Sequence, residues 1–342
     1  MAPQLLISFV VILFCASMKC TSSSHVVTVP KKNKKAKKTK FLYPEYLNGA
    51  NNQFFGFGYM AFEALKKKET LVLQKFFDTL HSGKNVRART YLYDPDYYFN
   101  ISRLEHTLNL KTIGMANFKH KCPMNSSCTV RKTTPKYPNS YKGKYSPNKV
   151  PIGMAALRFS SDITNLALSV LSSIWGDGVN SISHPYLAVH VRRVSWKKTY
   201  GETCNKVLCL EKEAVAERII RYARATGLSR VYISTNANST EQLFYHRTLA
   251  AGGLSSASSV SSTAKIVFQN FSGFTTSVVE QQISYLAKEF LGTFTSTWTG
   301  TVAMMRSSDR PPSRNTYFPR IPISNMTVSK DLHLGELAFR LT

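Results

Sequence analysis

Acidic residues are scarce. The 342-residue chain has 19 aspartates and glutamates against 45 lysines and arginines, a formal net charge of +26. That deficit excludes a charge-balanced surface and fits a polyanionic ligand, nucleic acid or an acidic cell surface, between which charge alone does not choose. Long apolar runs are missing too. The run Leu5–Ala16 has 12 residues, short of the roughly 20 that a membrane-spanning helix needs, and no later stretch is long enough to cross. Small and polar residues follow it, so it fits the core of a secretory signal peptide, residues 1–20, cleaved between Ala16 and Cys20. Cysteine is sparse, six in all. Past the leader remain Cys122, Cys128, Cys204 and Cys209. In an oxidising lumen each neighbouring pair most simply closes a local loop. A zinc site from these four would be the alternative, but neither spacing is C-x-x-C and no histidine completes a ligand pattern, so no metal is assigned.

A hydrophobic content of 43% and an aromatic content of 12% indicate a globular body with sizeable cores, long enough for two domains. Lys31–Lys40 holds seven lysines in ten residues. Residues 21–40 therefore read as a basic disordered linker that offers a polyanion contact. The folded body starts near Phe41. Sequons for N-glycosylation begin at Asn100, Asn125, Asn238, Asn270 and Asn325, a weak sign of secretion because the pattern is short.

The stretch His184–Trp196, HPYLAVHVRRVSW, is the most informative. Its apolar run Tyr186–Val189 reads as a strand buried on both faces of a parallel sheet. It leads into His190, Val191, Arg192 and Arg193. Ligands of open α/β sheets bind just past the carboxyl ends of the strands, and arginine's planar fork suits phosphate oxygens. The structural alternative is a pair of exposed strand-end charges. Upstream, Phe41–Tyr46 reads as a strand, Asn48–Gln53 as a turn offering backbone N–H groups, Phe54–Leu65 as an amphipathic helix and Thr70–Leu73 as a strand. Gly56–Ala61 matches a dinucleotide fingerprint formally, but its glycines fall inside the helical pattern and are expected to serve packing. Asp94-Pro95-Asp96 reads as a turn rather than a metal-binding D-x-D. Thr129–Val150 is expected to be loop and Ala155–Trp175 helix. Beyond the 185–191 strand come a helix over Glu211–Thr226, a strand over Arg230–Ser234, a helix over Glu241–Ala250 and a serine-rich loop over Gly252–Ala264. Strand Ile266–Phe268, helix Ser277–Lys288, strand Phe290–Leu291 and a helix from Thr297 complete the series. Such alternation predicts a doubly wound parallel sheet. Gly292–Thr299 is a hydroxyl-rich turn between strand and helix, a second phosphate cradle or an ordinary N-cap.

NGANNQ before an amphipathic helix, HVRR at a strand end and FLGTFTSTW after VVEQQ occur in this order. Together they resemble the GDP-fucose protein O-fucosyltransferase family, most closely the type that modifies EGF-like repeats, from about Phe41 to Arg320. The resemblance implies an α/β, GT-B-like fold of two Rossmann-like doubly wound domains facing a cleft: residues 41–180 on the acceptor side and 181–342 on the GDP-fucose side. It implies that Arg192 contacts the β-phosphate, that His190 and Val191 help hold the nucleotide, and that Asn52 lies near the transferred sugar. The turn Gly49, Ala50, Asn51, Asn52 and Gln53 maps onto the family's glycine-rich turn, Glu280 onto its aspartate, and Ser296-Thr297-Trp298 onto the residues that hold guanosine and phosphates. The sequence departs from the family in three places: Asn48-Gly49-Ala50-Asn51 replaces glycine-arginine-phenylalanine-glycine, Asn236 replaces an aspartate, and Trp298 replaces a phenylalanine.

The expected activity is inverting, metal-independent transfer of fucose from GDP-fucose to serine or threonine of proteins with EGF-like or thrombospondin-type repeats. No cofactor, nucleic acid or transmembrane segment is expected. The expected location is the endoplasmic reticulum lumen, although Phe339–Thr342 is no KDEL-like tail, so secretion is the alternative. Two other functions fit part of the sequence: a secreted basic polyanion-binding protein, and a catalytically inactive transferase-like fold.

Overall fold

The computed structural model describes residues 38–46, 50–78, 90–91, 93–123, 128–134, 152–176, 184–193, 211–269, 271–293, 296–307 and 315–318. The leader, most of the basic stretch 31–40, Gly49, Cys204, Cys209, Asn125, Asn270 and Asn325 lie outside them, so the expectations placed there are not addressed.

In chain order the N-terminal half carries β1 (Lys40–Pro44), α1 (Ala50–Lys67), β2 (Thr70–Leu73), β3 (Phe77–Asp78), β4 (Thr90–Tyr91), α2 (Pro95–Tyr98), α3 (Ile101–Leu108), β5 (Thr112–Gly114), α4 (Met115–Lys121), β6 (Thr129–Thr133) and α5 (Ile152–Ala156). Then follow α6 (Ser161–Trp175), β7 (Leu187–Val191), α7 (Lys212–Ala225), β8 (Arg230–Thr235), α8 (Ser239–Ala251), β9 (Ser255–Ala257), α9 (Ser262–Phe268), α10 (Gly273–Leu286), β10 (Glu289–Thr293), α11 (Thr297–Ser307) and β11 (Asn315–Phe318). Two parallel sheets result, of order β5-β2-β1-β6 and β11-β10-β7-β8-β9. The α/β architecture expected from the strand–helix alternation is present.

Burial of β7 on both faces accords with its place in the middle of the second sheet. Leu187, Val189 and Val191 pack with Val215 and Ile219 of α7 and Leu249 of α8. Tyr186 and Ala188 belong to the opposite core, with Val278 and Ile283 of α10 and Val302 of α11. That core continues without a break into the N-terminal half through Phe54, Phe57, Phe76, Phe99 and Leu42. Phe54 meets Phe274 of α10 edge-on at 5.4 Å.

Gly58 confirms the packing role expected of the glycines in α1. A Cβ there would lie 2.4 Å from Met154 Sδ, and one at Gly153 would lie 2.1 Å from the Gly58 carbonyl oxygen. Backbone meets backbone at the α1–α5 crossing, and no side chain fits between.

Four local expectations are corrected. Thr129–Thr133 is not loop but edge strand β6, paired in parallel with β1 from Lys40↔Thr129 to Pro44↔Thr133. Its side chains are largely exposed, so the apolar alternation that marks a strand is missing. Ile266–Phe268 is not a strand but the end of α9, with Ile266 67% exposed. The sheet position beside β8 goes instead to the serine-rich β9, because an edge strand pairs through its main chain and needs few apolar side chains. The helix expected over Ala155–Trp175 is two helices. Ser160 breaks it by capping α6, its side chain accepting from the Ile163 N–H. Asn51, Asn52 and Gln53 form the first turn of α1 rather than a loop before it. Asp94 precedes the short helix α2 as its N-cap residue, in keeping with its reading as turn rather than metal ligand.

Candidate active site at the carboxyl end of β7

The last residues of β7 are fixed from both neighbouring strands. Thr293 Oγ1, at the end of β10, donates to the His190 carbonyl at 2.9 Å and accepts from the Arg192 N–H at 2.9 Å. From β8, Thr235 Oγ1 donates to the Val191 carbonyl at 2.7 Å. Asn236 accepts from the Arg193 N–H at 2.6 Å and donates back to the Arg193 carbonyl. Asn236 therefore has a structural task that an aspartate could not perform, since a carboxylate accepts but does not donate. Arg193 turns away into an ion pair with Glu241 of α8. Arg192 keeps an exposed side chain at the mouth of the site. The strand-end reading thus separates the two arginines.

His190 is buried. Its Nδ1 shares a hydrogen bond of 2.7 Å with Thr299 Oγ1, and its ring stacks on Trp298, with centroids 4.1 Å apart and planes at 19°. Burial, and secondly the charge of Arg192, lowers its pKa to about 3. The imidazole is therefore neutral throughout the physiological range, which leaves positive charge here to Arg192. Trp298 is held in turn by its indole N–H, which donates to Ser277 Oγ on α10 at 3.0 Å. A phenylalanine would have no such handle, so the tryptophan comes with its own partner.

Gly292 makes this arrangement possible. It pairs with His190 across the β7–β10 ladder, and a Cβ there would sit 2.3 Å from Thr299 Cγ2 and 2.9 Å from its Oγ1. Gly292→Ala is expected to push Thr299 off His190, at about 1–3 kcal/mol of overpacking. Thermal unfolding alongside ligand titration checks this, with the fold kept and affinity for the site's ligand lowered roughly tenfold (about 1.4 kcal/mol).

The N-terminal turn of α11 lies here, with Trp298 and Thr299 against His190. Gly300, in that turn, faces Phe55 of α1 so closely that an added Cβ would lie 2.9 Å from the ring. The start of α11 thus packs against α1, whose own first turn holds Ala50, Asn51 and Asn52. Unsatisfied N–H groups at such ends favour anions. Ser296 leads into α11, its N–H donating to the Thr293 carbonyl at 3.1 Å.

Other expected site residues have different surroundings. Gln53 is fully buried, and its amide is engaged with the Phe77 main chain, donating to the carbonyl at 2.6 Å and accepting from the N–H at 3.0 Å. Val191 packs its side chain in the core under α7. Glu280 lies deeper, on α10, where Tyr232 donates to its carboxylate at 3.5 Å. Burial raises the Glu280 pKa to about 7, and hydrogen bonds from Ser259 and Tyr232 oppose the rise. Sequence reasoning missed Thr293, Thr299 and Ser277. Thr293 and Thr299 lay inside the hydroxyl-rich turn that was noted, but their partners are distant in sequence and left no local signal.

Among the described residues no group of three His, Cys, Asp or Glu is placed to hold a metal ion, and no helix is long and apolar enough to cross a membrane. Cys122 and Cys128 are joined as a disulfide, closing a loop of the expected extent. Asn100 and Asn238 are exposed N-caps of α3 and α8, accepting through Oδ1 from the Arg103 and Glu241 N–H groups.

No protein-family model matches the chain, and no curated protein matches its sequence. Solved structures do match. The crystal structure of POFUT1 in complex with GDP superposes with a TM-score of 0.57 at 15% identity, covering 82% of this chain and 98% of that one. POFUT1 in complex with GDP-fucose gives a TM-score of 0.56 at 14% identity with the same coverage, and its apo form 0.53 at 14% identity. The chain therefore has the GT-B-like fold of POFUT1.

Proposed function

We propose that the chain is a fucosyltransferase that moves fucose from GDP-fucose to a serine or threonine hydroxyl of secreted or membrane proteins bearing EGF-like or thrombospondin-type repeats. The observation that carries this reading is the strand-end constellation. An exposed arginine, the N-terminal turn of α11 and a neutral, stacked histidine converge at the carboxyl end of β7. The fold supports it, because POFUT1, a GDP-fucose protein O-fucosyltransferase, was crystallised with GDP and with GDP-fucose.

In the proposed inverting reaction the acceptor oxygen attacks C1 of fucose on the face opposite GDP. The bond from C1 to the β-phosphate oxygen breaks, its electron pair leaves with GDP, and the proton of the acceptor hydroxyl is released to water. Arg192 meets the negative charge that develops there, a stabilisation greater in the transition state than in the ground state. The helix-terminal N–H groups of α11 share that charge, and in this scheme no metal is needed. An oxocarbenium-like path asks little of a base, and none is assigned. Asn52 is proposed beside the sugar, with Ser296, Thr297 and Trp298 around the nucleotide. The Cys122–Cys128 disulfide and the leader-like Leu5–Ala16 run support action in the lumen of the secretory pathway.

Thermal unfolding with GDP-fucose tests the donor site. A ligand bound only to the native state stabilises it by about 2.7 kcal/mol at a hundred times its Kd. The melting temperature of the wild type is expected to rise with GDP-fucose and that of Arg192→Ala to rise far less. No rise at saturating nucleotide would refute the donor assignment.

A further inference from the structure

The carboxyl ends of the strands take the proposed donor. The opposite edge of the N-terminal sheet holds a second feature. Because β5, β2, β1 and β6 are all parallel, their amino ends lie along one edge. The segments that enter them are basic: Lys38 and Lys40 at β1, Lys66, Lys67 and Lys68 just before β2, and Lys111 just before β5. Helix α4 runs back from the far end of β5 and delivers Lys119, His120 and Lys121 to the same edge. All of these are exposed.

Between them lies an open groove of about 780 Å³. Lys111, His120 and Lys121 stand on its walls, and Phe41, Leu110 and Ile113 contribute apolar surface. Its acidic member, Glu105, already accepts from the Thr112 N–H at 2.9 Å and the Thr112 hydroxyl at 2.8 Å. Among the described residues, Lys40, Lys111 and Lys121 make no ion pair. The Cys122–Cys128 disulfide ties the basic end of α4 to the start of β6, so one wall is covalently fixed.

We propose that this groove binds an acidic polysaccharide, with sulfate or carboxylate groups on the lysines and a sugar face against Ile113. Three observations favour a polysaccharide over nucleic acid. The volume falls within the roughly 300–1,000 Å³ of pockets that enclose a small ligand, which suits a few units of a single narrow chain. The walls combine cations with apolar floor, matching a sugar's charged edge and apolar face. A disulfide in the wall belongs to oxidising compartments, where sulfated polysaccharides occur. The site is independent of the proposed donor site, at the other end of the strands.

The test is binding of a fluorescent heparin octasaccharide to the full chain, by anisotropy across a salt series. Lys111→Gln/Lys121→Gln is expected to weaken binding at least tenfold and to lower the slope of log K against log salt by about one to two. Lys111→Arg/Lys121→Arg should retain it, showing that loss in the glutamine pair is not misfolding. Arg247→Gln/Lys265→Gln, exposed on α8 and α9, removes the same charge elsewhere and should change binding less than twofold. Equal weakening in both glutamine pairs would reduce the effect to bulk charge and overturn the proposal. Single-stranded DNA of matched charge binding as tightly as heparin would overturn it in favour of nucleic acid, and absence of heparin binding would overturn it outright. The GDP-fucose melting shift, measured on the same variants, should stay unchanged.

Discussion

Arg192→Ala is expected to lower turnover of GDP-fucose by about 10²–10³-fold while leaving the fold intact. Removal of one preorganised group facing a developing oxyanion typically raises a barrier by about 2.7–4 kcal/mol. The side chain is exposed and the local backbone is held without it, by Thr293 on the Arg192 N–H and by Asn236 on Arg193. His190 cannot substitute, because its ring stays neutral. Lysine should recover only part of the rate, since it offers one charge without the planar fork. The measurement is initial rate of GDP release with an acceptor repeat, and equal rates for wild type and Arg192→Ala would remove the arginine from the mechanism.

Arg306→Met is expected to cost about 3–5 kcal/mol of stability. Arg306 is fully buried in α11, and its guanidinium donates to the carbonyls of Ser284 at 3.2 Å, Tyr285 at 2.8 Å, Ala287 at 2.5 Å and Lys288 at 3.1 Å. Ser284 and Tyr285 carry orphan carbonyls of the last turn of α10, Ala287 is its C-cap residue and Lys288 follows, and a cation here is also favoured by the helix dipole. Methionine fills similar space but leaves them unpaired in the core, at roughly 1–3 kcal/mol for each group. Denaturant titration should show a lower midpoint with an unchanged slope, and an unchanged midpoint would contradict this account. The same anchor sets α11 along its axis, so the variant should also bind nucleotide less tightly while folded.

How much of this was legible in the sequence differs from element to element. β7 was readable because burial on both faces leaves an unbroken apolar run, and α7 because Val215, Ile219 and Ala223 repeat at helical spacing ahead of Gly227, whose φ of +66° ends it. Edge strands β6 and β9 were not, since main-chain pairing carries them and their side chains face solvent. At the site, His190 and Arg192 were visible from their place after an apolar strand. The partners that fix them were not: Thr299 lies 109 residues from His190 and Thr293 lies 101 from Arg192, and only the parallel register of β7 with β10 brings them together. Arg306 gave no sign either, because a cation near a helix end usually reads as solvated.

The continuous core between the two sheets bears on motion. Phe54 and Phe274, Phe55 and Gly300, and Met154 and Met304 pack in one apolar body. A cleft that breathed by swinging one sheet away from the other would expose these side chains to water at each opening, at roughly 25 cal/mol for every Å² uncovered. The shared core therefore opposes any such opening, and holds the Phe55–Gly300 contact between α1 and α11 closed.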